Sequence, residues 1–329
     1  MSKTRDNYWS MLKGIAILAV LMIHIPLTTN TNSLLATRQI INFPVAMFLF
    51  LSGLFVKRDE NIWVSTKRLL FPYLIWSSFW CIITPPQSIK ILLLNFVTGG
   101  YSILYFLFVL IQLKLLTPYL IKRVAKEGYR PFRDWLWLVS PLYLLAFTII
   151  RLLYSDGFER VNQVVAFDNF FPSWIVYYYL GIFCRNHGIK IRASYLAVST
   201  MAAIIISILA AFWLCDNSSI YNFPFTQSKL TSLLLALSVI LLFYSLHEKD
   251  FPNNVLAHLG EMSFGIYILH LPVKFFLQKI ISLTHSSDLL YVYQLPLVLY
   301  LSVLVITFLI LLVVYRIVPR KYVRLLGLQ

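Results

Sequence analysis

Residues 292–315 read VYQLPLVLYLSVLVITFLILLVVY and contain no charged side chain. A helix needs about 20 consecutive apolar residues to cross the hydrocarbon core of a bilayer, and this stretch is long enough to do so. Across the 329 residues of the chain, 59% are hydrophobic and 12% are charged, whereas soluble domains contain about 45–50% and about 25%. The stretch therefore predicts a membrane-spanning helix in a chain with the composition of a membrane protein.

Further apolar runs of similar length precede this stretch along the whole chain. They predict an all-α fold, a polytopic transmembrane helical bundle of about ten spans. No linker or repeat separates the runs, so we expect a single membrane-embedded domain over residues 1–329, without an appended soluble domain and with an uncleaved first helix. The expected spans are residues 10–29, 38–56, 69–85, 101–121, 135–154, 170–184, 194–215, 229–246, 259–282 and 292–315.

The formal charge of +15 would also suit a nucleic-acid-binding protein, but the cations are divided between alternate loops. If the N-terminus is cytoplasmic, the cytoplasmic segments are the basic ones, as the positive-inside rule requires. A stripe that tracks phosphates would not be split in this way. We therefore expect both termini in the cytoplasm and no nucleic-acid partner. The basic segments are 3–13, 57–68, 122–133, 185–192, Lys249 and 316–324, and the acids between them are Asp156, Glu159, Asp168, Asp216 and Asp288.

Two ionisable residues lie on the first span, which reads MLKGIAILAVLMIHIP over residues 11–26. Lys13 and His24 are eleven residues apart, which is three helical turns and about 20°, with a rise of roughly 16 Å. Both side chains are therefore expected on one helix face at different depths. An ionisable residue inside a membrane is a functional candidate by default. His24 is either such a residue or an interfacial histidine that bonds to a neighbour, and Lys13 alone would be a positive-inside anchor.

The ninth span reads LGEMSFGIYILHLP over residues 259–272. Ser263, Tyr267 and His270 lie at i, i+4 and i+7, which places them on one face of a helix. A polar face on an apolar helix points towards a cavity or towards other helices. These side chains therefore either join helices together or line a site.

Cofactor and metal sites find no support in the sequence. The cysteines Cys81, Cys184 and Cys215 lack metal-ligand or redox spacing and are expected to be packing residues. Cys81 and Cys215 fall near the predicted outer ends of their spans, so a disulfide between them is an alternative. No phosphate-binding glycine loop and no histidine cluster with ligand spacing occurs, so we expect no bound cofactor and no metal.

The first two spans carry motifs that resemble the acyltransferase 3 family of polytopic membrane acyltransferases. The first helix of that family has an arginine, ten intervening residues and a histidine, which Lys13 and His24 match with lysine in place of arginine. A planar fork is thereby replaced by a point charge, and the sugar O-acetylase branch of the family resembles this variant. The apolar run into Ser52 and Gly53 is similar to the second helix of the family.

The third and ninth spans extend this resemblance, which covers nearly the whole chain in the number and order of helices. The third helix of the family begins with two arginines before a proline. Arg68, four residues before Pro72, matches the second arginine, and Ser65 stands at the position of the first. The ninth span is similar to the family ending through Ser263, Tyr267, His270 and Pro272.

The resemblance implies an O-acyltransferase, most simply an O-acetyltransferase, in the bacterial inner (cytoplasmic) membrane. Such enzymes modify polysaccharides of the cell envelope by moving an acyl group, usually acetyl, from cytoplasmic acyl-CoA to a hydroxyl of a glycan or lipid-linked sugar. Acetyl-CoA would then be the acyl donor and not a bound cofactor. The expected partners are this donor, the sugar acceptor and the lipid bilayer.

The residues already singled out then acquire expected roles. His24 would take the proton of the sugar hydroxyl as a general base or form an acyl intermediate, and an acid would orient it. Asp168 is the expected acid, with Asp156 and Glu159 as alternatives. Lys13 and Arg68 would bind the phosphates of the donor. The expected substrate-binding residues of the ninth span are Ser263, Tyr267 and His270.

Two other functions would also suit many spans and an aromatic-rich interior. An exporter or flippase of polysaccharide or lipid-linked sugar is the main alternative. A glycan polymerase is a third, although such enzymes tend to carry a large outer loop and the outer loops here are short. Loss of His24 would leave acylation intact in an exporter and would remove it in a transferase.

Overall fold

The computed structural model describes residues 3–28, 30–57, 61–154, 157, 161–162, 166–217, 223–247, 252, 254–284 and 295–328. Every regular element in these residues is a helix. The α-helices are α1 (Lys3–His24), α2 (Thr31–Ile40), α3 (Pro44–Leu54), α4 (Ile62–Ile83), α5 (Ile89–Thr98), α6 (Tyr105–Val124), α7 (Leu136–Leu153), α8 (Ile175–His187), α9 (Ala193–Asn217), α10 (Leu230–Ser245), α11 (Val255–Glu261), α12 (Ser263–Leu283), α13 (Pro296–Ile317) and α14 (Arg320–Leu325). Short 3-10 helices occur at Ser102–Leu104, Pro131–Arg133, Phe167–Asn169, Phe171–Ser173 and Phe223–Phe225.

Within the described residues, eight helical segments are long and apolar enough to cross a membrane. The predicted class, an all-α polytopic helical protein, is therefore confirmed. The number of about ten spans and the cytoplasmic placement of both termini stay predictions. The eight segments are Asn7–His24, Thr31–Leu54, Tyr105–Val124, Leu136–Leu153, Ala193–Asn217, Phe223–Ser245, Ser263–Leu283 and Pro296–Ile317.

Two expected spans correspond to helices that are not among these eight. The span expected at residues 69–85 lies within α4 except for its end, but α4 begins at Ile62 and carries Lys67 and Arg68 near its start. The span expected at residues 170–184 overlaps α8, which has 13 residues. A helix of that length rises about 20 Å, which is less than the roughly 30 Å of a hydrocarbon core.

Some residues of the charge pattern lie outside the part of the chain that the structure describes, namely Arg58, Asp156, Glu159, Lys249 and Asp288. The three cysteines are within it, and all are free thiols. The alternative of a disulfide between Cys81 and Cys215 is therefore wrong for this structure.

The helices divide into two compact units, and the first comprises residues 1–44 and 247–329. In this unit α1 packs along α11, and α12 packs against both α1 and α13. The approach of α1 to α11 is close enough to require glycine on both helices. A Cβ atom on Gly260 would lie 1.7 Å from the carbonyl oxygen of Ser10, and one on Gly14 would lie 2.0 Å from that of Leu256. The backbone of α1 is therefore held directly against the backbone of α11.

The second unit comprises residues 45–246. Here α4 packs on α6, α8 packs on both α6 and α7, and α9 packs on α10. Glycines again permit a close approach, because a Cβ atom on Gly53 would lie 2.1 Å from the carbonyl oxygen of Tyr178 and one on Gly181 would lie 2.1 Å from that of Phe50. The glycine of the Ser-Gly motif therefore serves the packing of α3 against α8.

A buried carboxylate joins three helices of the second unit. Asp134, just before α7, accepts hydrogen bonds from Nε of Arg123 on α6 at 2.9 and 3.0 Å and from the hydroxyl of Tyr179 on α8. The Tyr179 hydroxyl is also 2.9 Å from that of Tyr129. Burial raises the pKa of Asp134, but the hydrogen bonds from Arg123 and Tyr179 more than offset burial, so the pKa lies below its ordinary value. The ionised carboxylate thus holds α6, α7 and α8 together.

Candidate functional site

His24 is the last residue of α1, and two cations hold that end of the helix. The last carbonyls of a helix lack partners within it. Lys274 Nζ on α12 donates to the carbonyl oxygen of His24 at 2.8 Å, and Arg38 Nη1 on α2 donates to that of Ile23 at 2.8 Å. Positive charge at a helix C-terminus is favourable. The backbone that carries His24 is therefore fixed from two neighbouring helices, and both cations lie close to it.

The imidazole of His270 on α12 lies next to that of His24, with ring centroids 5.4 Å apart. The Nδ1 atom of His270 is 2.7 Å from the carbonyl oxygen of Tyr267 and 3.1 Å from that of Ile266. Carbonyl oxygens only accept hydrogen bonds, so Nδ1 carries the proton, and in a neutral ring Nε2 then presents a lone pair. This Nε2 atom is buried without a hydrogen-bond partner.

The chemistry available at this end of α1 follows from these groups. Two imidazoles supply proton acceptors, of which His270 is fully buried and His24 is partly exposed. The ammonium of Lys274 has three N–H donors, one of which goes to the His24 carbonyl. A partly buried cation stabilises negative charge that develops beside it far better than water-exposed charges do. The site can accept a proton and stabilise an anion at the same time.

The other expected residues of this unit lie on the same two helices. Tyr267 is buried, and its ring centroid is 6.3 Å from that of His270. Ser263 is also buried and begins α12, seven residues before His270, at a rise of about 10 Å. Lys13 lies on the uninterrupted helix α1, eleven residues before His24, so the two are separated by roughly 16 Å along the axis. Their predicted roles stay predictions.

Asp168 belongs to the second unit, where it forms an ion pair. Its Oδ2 atom is 2.9 Å from Nη2 of Arg151 on α7. The guanidinium of Arg151 is buried and lies 5.6 Å from the ring centroid of Phe147 and 5.0 Å from that of Phe223, distances at which cations interact with aromatic faces. The predicted role of Asp168 as a partner of His24 stays a prediction, and the structure shows its carboxylate bound to a cation.

Arg68 is exposed on α4, and a small cavity lies near the start of that helix. The cavity has a volume of about 100 Å³ and contains Lys57 and Lys114 together with the hydroxyl side chains of Ser65 and Thr117. Lysine binds phosphate as a point charge, whereas the hydroxyls of Ser65 and Thr117 already donate to the backbone carbonyls of Ile62 and Leu113. This cavity is therefore a candidate anion site within the second unit.

A larger cavity of the second unit has a volume of about 320 Å³. Two aromatic residues, Trp80 and Tyr101, line it together with the polar side chains of Thr84, Gln87 and Asn95. Apolar rings with a few polar groups are typical of small-molecule sites. Among the residues that the structure describes, no group of three or more His, Cys, Asp or Glu side chains could hold a metal ion.

The sequence interpretation missed the cations Arg38, Lys274 and Arg151. A signal was present, because a charged residue within an apolar span is expensive and faces the protein interior. Lys274 also follows His270 by four residues, which places both on one face of α12. No sequence signal pairs Lys274 or Arg38 with the end of α1, because these contacts join different helices.

Comparison with known proteins gives one match. The family model described as an acyltransferase domain, that of the acyltransferase 3 family, matches residues 6–316. No curated protein and no solved structure matches the chain.

Proposed function

The chain belongs to the acyltransferase 3 family of membrane acyltransferases, and on that premise we propose that it is an O-acyltransferase, most simply an O-acetyltransferase. It would move an acyl group from cytoplasmic acyl-CoA to a hydroxyl of a cell-surface glycan or lipid-linked sugar. The observation that carries this proposal is the end of α1, where the partly exposed residue His24 accepts a hydrogen bond from the ammonium of Lys274 at its backbone carbonyl.

In the proposed reaction His24 is the general base. A sugar hydroxyl is a poor nucleophile, and a ring nitrogen of His24 takes its proton as the oxygen attacks the thioester carbonyl carbon. The carbonyl oxygen becomes an oxyanion, which the ammonium of Lys274 stabilises. The tetrahedral intermediate then collapses, the C–S bond breaks, and the departing thiolate of CoA takes the proton back from the His24 imidazolium. The products are the sugar ester and free CoA.

The donor phosphates need cations, and we propose Lys13 and Arg68 for this role. The anion site of Lys57 and Lys114 in the second unit supports a phosphate-bearing donor, because lysine binds phosphate as a point charge. For the acceptor we propose Ser263 and Tyr267 as substrate-binding residues. The larger cavity, with Trp80, Tyr101 and three polar side chains, supports a sugar as the acceptor class.

Placement in a bacterial inner membrane, with both termini in the cytoplasm and one catalytic domain over residues 1–329, completes the proposal. The test uses the purified protein in detergent with labelled acetyl-CoA and with purified surface glycan as the acceptor, and it follows thiol release. We expect the wild type to release CoA and the His24→Ala variant to release at most about one hundredth as much, as loss of a general base costs roughly 10²–10⁴-fold.

The matched control is His187→Ala. His187 is a histidine of the second unit whose Nε2 is 3.0 Å from the carbonyl oxygen of Val124, and its ring stacks on Tyr129. This variant loses a packed imidazole that has no role in the proposed chemistry and should retain CoA release. Absence of CoA release from the wild-type protein would favour the exporter.

A further inference from the structure

The buried Nε2 atom of His270 has no hydrogen-bond partner, although the rest of the ring is well anchored. His270 is fully buried, and its Nδ1 donates to the carbonyl oxygens of Tyr267 and Ile266. Leaving a buried acceptor unpaired is costly, and most buried polar groups in proteins are paired. The lone pair of Nε2 is therefore available to accept a hydrogen bond.

The imidazole of His24 lies next to the imidazole of His270. The ring centroids are 5.4 Å apart with an angle of 45° between the ring planes. A hydrogen bond between ring nitrogens needs about 3 Å between the two atoms, and rotation of the His24 side chain can close that gap at this separation. Catalytic hydrogen bonds are often long without substrate and tighten when it binds.

We propose that His270 is the positioning residue for His24. This inference rests on the proposed function, in which His24 is the general base. In this positioning role, Nε2 of His270 accepts a hydrogen bond from an N–H of His24. One tautomer of His24 is thereby selected, and its other ring nitrogen presents a lone pair to the sugar hydroxyl. The proton from the sugar goes to that second nitrogen and leaves with the CoA thiolate, so His270 itself gains no proton.

The charges of the first unit favour an imidazole over a carboxylate in this role. Glu261 is the acidic residue of this unit whose side chain is described; it is exposed and lies 3.4 Å from Nδ1 of His258. Glu261 is nine residues before His270 in the chain. Asp168 is bound to Arg151 in the second unit. The fully buried imidazole of His270 is the acceptor that the structure places beside His24.

Two substitutions at His270 separate positioning from packing. In His270→Asn the amide nitrogen can still donate to the carbonyls of the helix, but no acceptor stands at the Nε2 position. In His270→Gln the longer side chain brings an acceptor oxygen close to that position, although it cannot act as a base. We expect the Asn variant to lose about 10²-fold in kcat with KM changed less than about threefold, and the Gln variant to recover at least about tenfold of that loss.

The assay is CoA release by the full-length protein in detergent, with His24→Ala and His187→Gln measured beside the His270 variants. Equal kcat values for the Asn and Gln variants, or a wild-type kcat in the Asn variant, would overturn the inference. The proposed function would still stand in that case if turnover depended on His24. No turnover by the wild type would overturn the proposed function and this inference with it.

A second measurement needs no variant at all. In the wild-type protein labelled with nitrogen-15 at histidine, His24 should be present as one neutral tautomer, because His270 accepts only from the nitrogen that faces it. Two tautomers of His24 in exchange would overturn the inference, even if the variants of His270 failed to fold.

Discussion

Replacing Lys274 by methionine tests the electrostatic part of the proposed site. Methionine keeps an unbranched apolar side chain of similar length but removes the ammonium, which donates to the His24 carbonyl at 2.8 Å. Two effects follow. The loss of a charge-assisted hydrogen bond should lower the free energy of unfolding by about 1.5–3 kcal/mol. The loss of a donor for the oxyanion should lower kcat by roughly 10²–10³-fold.

The matched control is Lys229→Met in the second unit. Lys229 is buried and donates to the carbonyl oxygen of Pro224 at 2.6 Å, so this variant loses the same type of bond from a lysine to a backbone carbonyl. We expect a similar loss of stability and an unchanged kcat. The measurements are CoA release and the thermal unfolding midpoint in one detergent. The role of the ammonium would be refuted if Lys274→Met kept more than about a third of the wild-type kcat. It would also be refuted if Lys229→Met lost as much kcat as Lys274→Met.

Three further predictions concern packing and ion pairs within each unit. Gly260→Ala should lower stability by about 1–3 kcal/mol or more, because its Cβ would lie 1.7 Å from a backbone oxygen. Gly157→Ala, whose Cβ would have no atom of the described residues within 4 Å, should be neutral in thermal unfolding. Equal unfolding midpoints for the two variants would count against the close packing of α1 and α11. Asp134→Asn should lower the free energy of unfolding at neutral pH, and its difference from the wild type should shrink as the pH falls below about 4. The reason is that the folded-state pKa of this carboxyl is lowered from an unfolded value of about 3.9. A difference that grows in acid would contradict this. Arg151→Met should lower the free energy of unfolding by roughly 3 kcal/mol, because it leaves the Asp168 carboxylate without its cation. The double variant Arg151→Met with Asp168→Asn should regain part of that stability. A double variant less stable than Arg151→Met would exclude this ion pair as the cause.

The helices could be predicted from the sequence because each span is a local property of the chain. Apolar length alone located α13, and the charge-free run of residues 296–315 lies within it. The two expected spans that are not among the eight long apolar helices differ from them for local reasons. The helix α4 extends into a segment with Lys67 and Arg68, and α8 is shorter than a bilayer core.

The candidate site could be predicted only in part. His24 and His270 were singled out on separate spans from their spacing, but their adjacency depends on the packing of α12 against α1. That packing requires contacts between residues about 250 positions apart, such as that of Lys274 with His24. Periodicity shows which face of one helix is polar and says nothing about which helix it meets.

Glycines show the same limit. Gly14 and Gly260 lie in the motifs of the first and ninth spans, and both are required by a contact between α1 and α11 that leaves no room for a Cβ atom. A small residue in a membrane helix signals a close approach. The local sequence does not show which helix backbone lies against the small residue.

The proposed function requires His24 as the base in the transfer of an acyl group to a glycan. The most direct measurement is the alkali-released acetate per sugar residue of surface glycan purified from cells that express either the wild type or His24→Ala as the sole copy. We expect the variant to export a normal amount of glycan that lacks the ester. Glycan that keeps its ester while its export falls would contradict the proposed function and would favour an exporter.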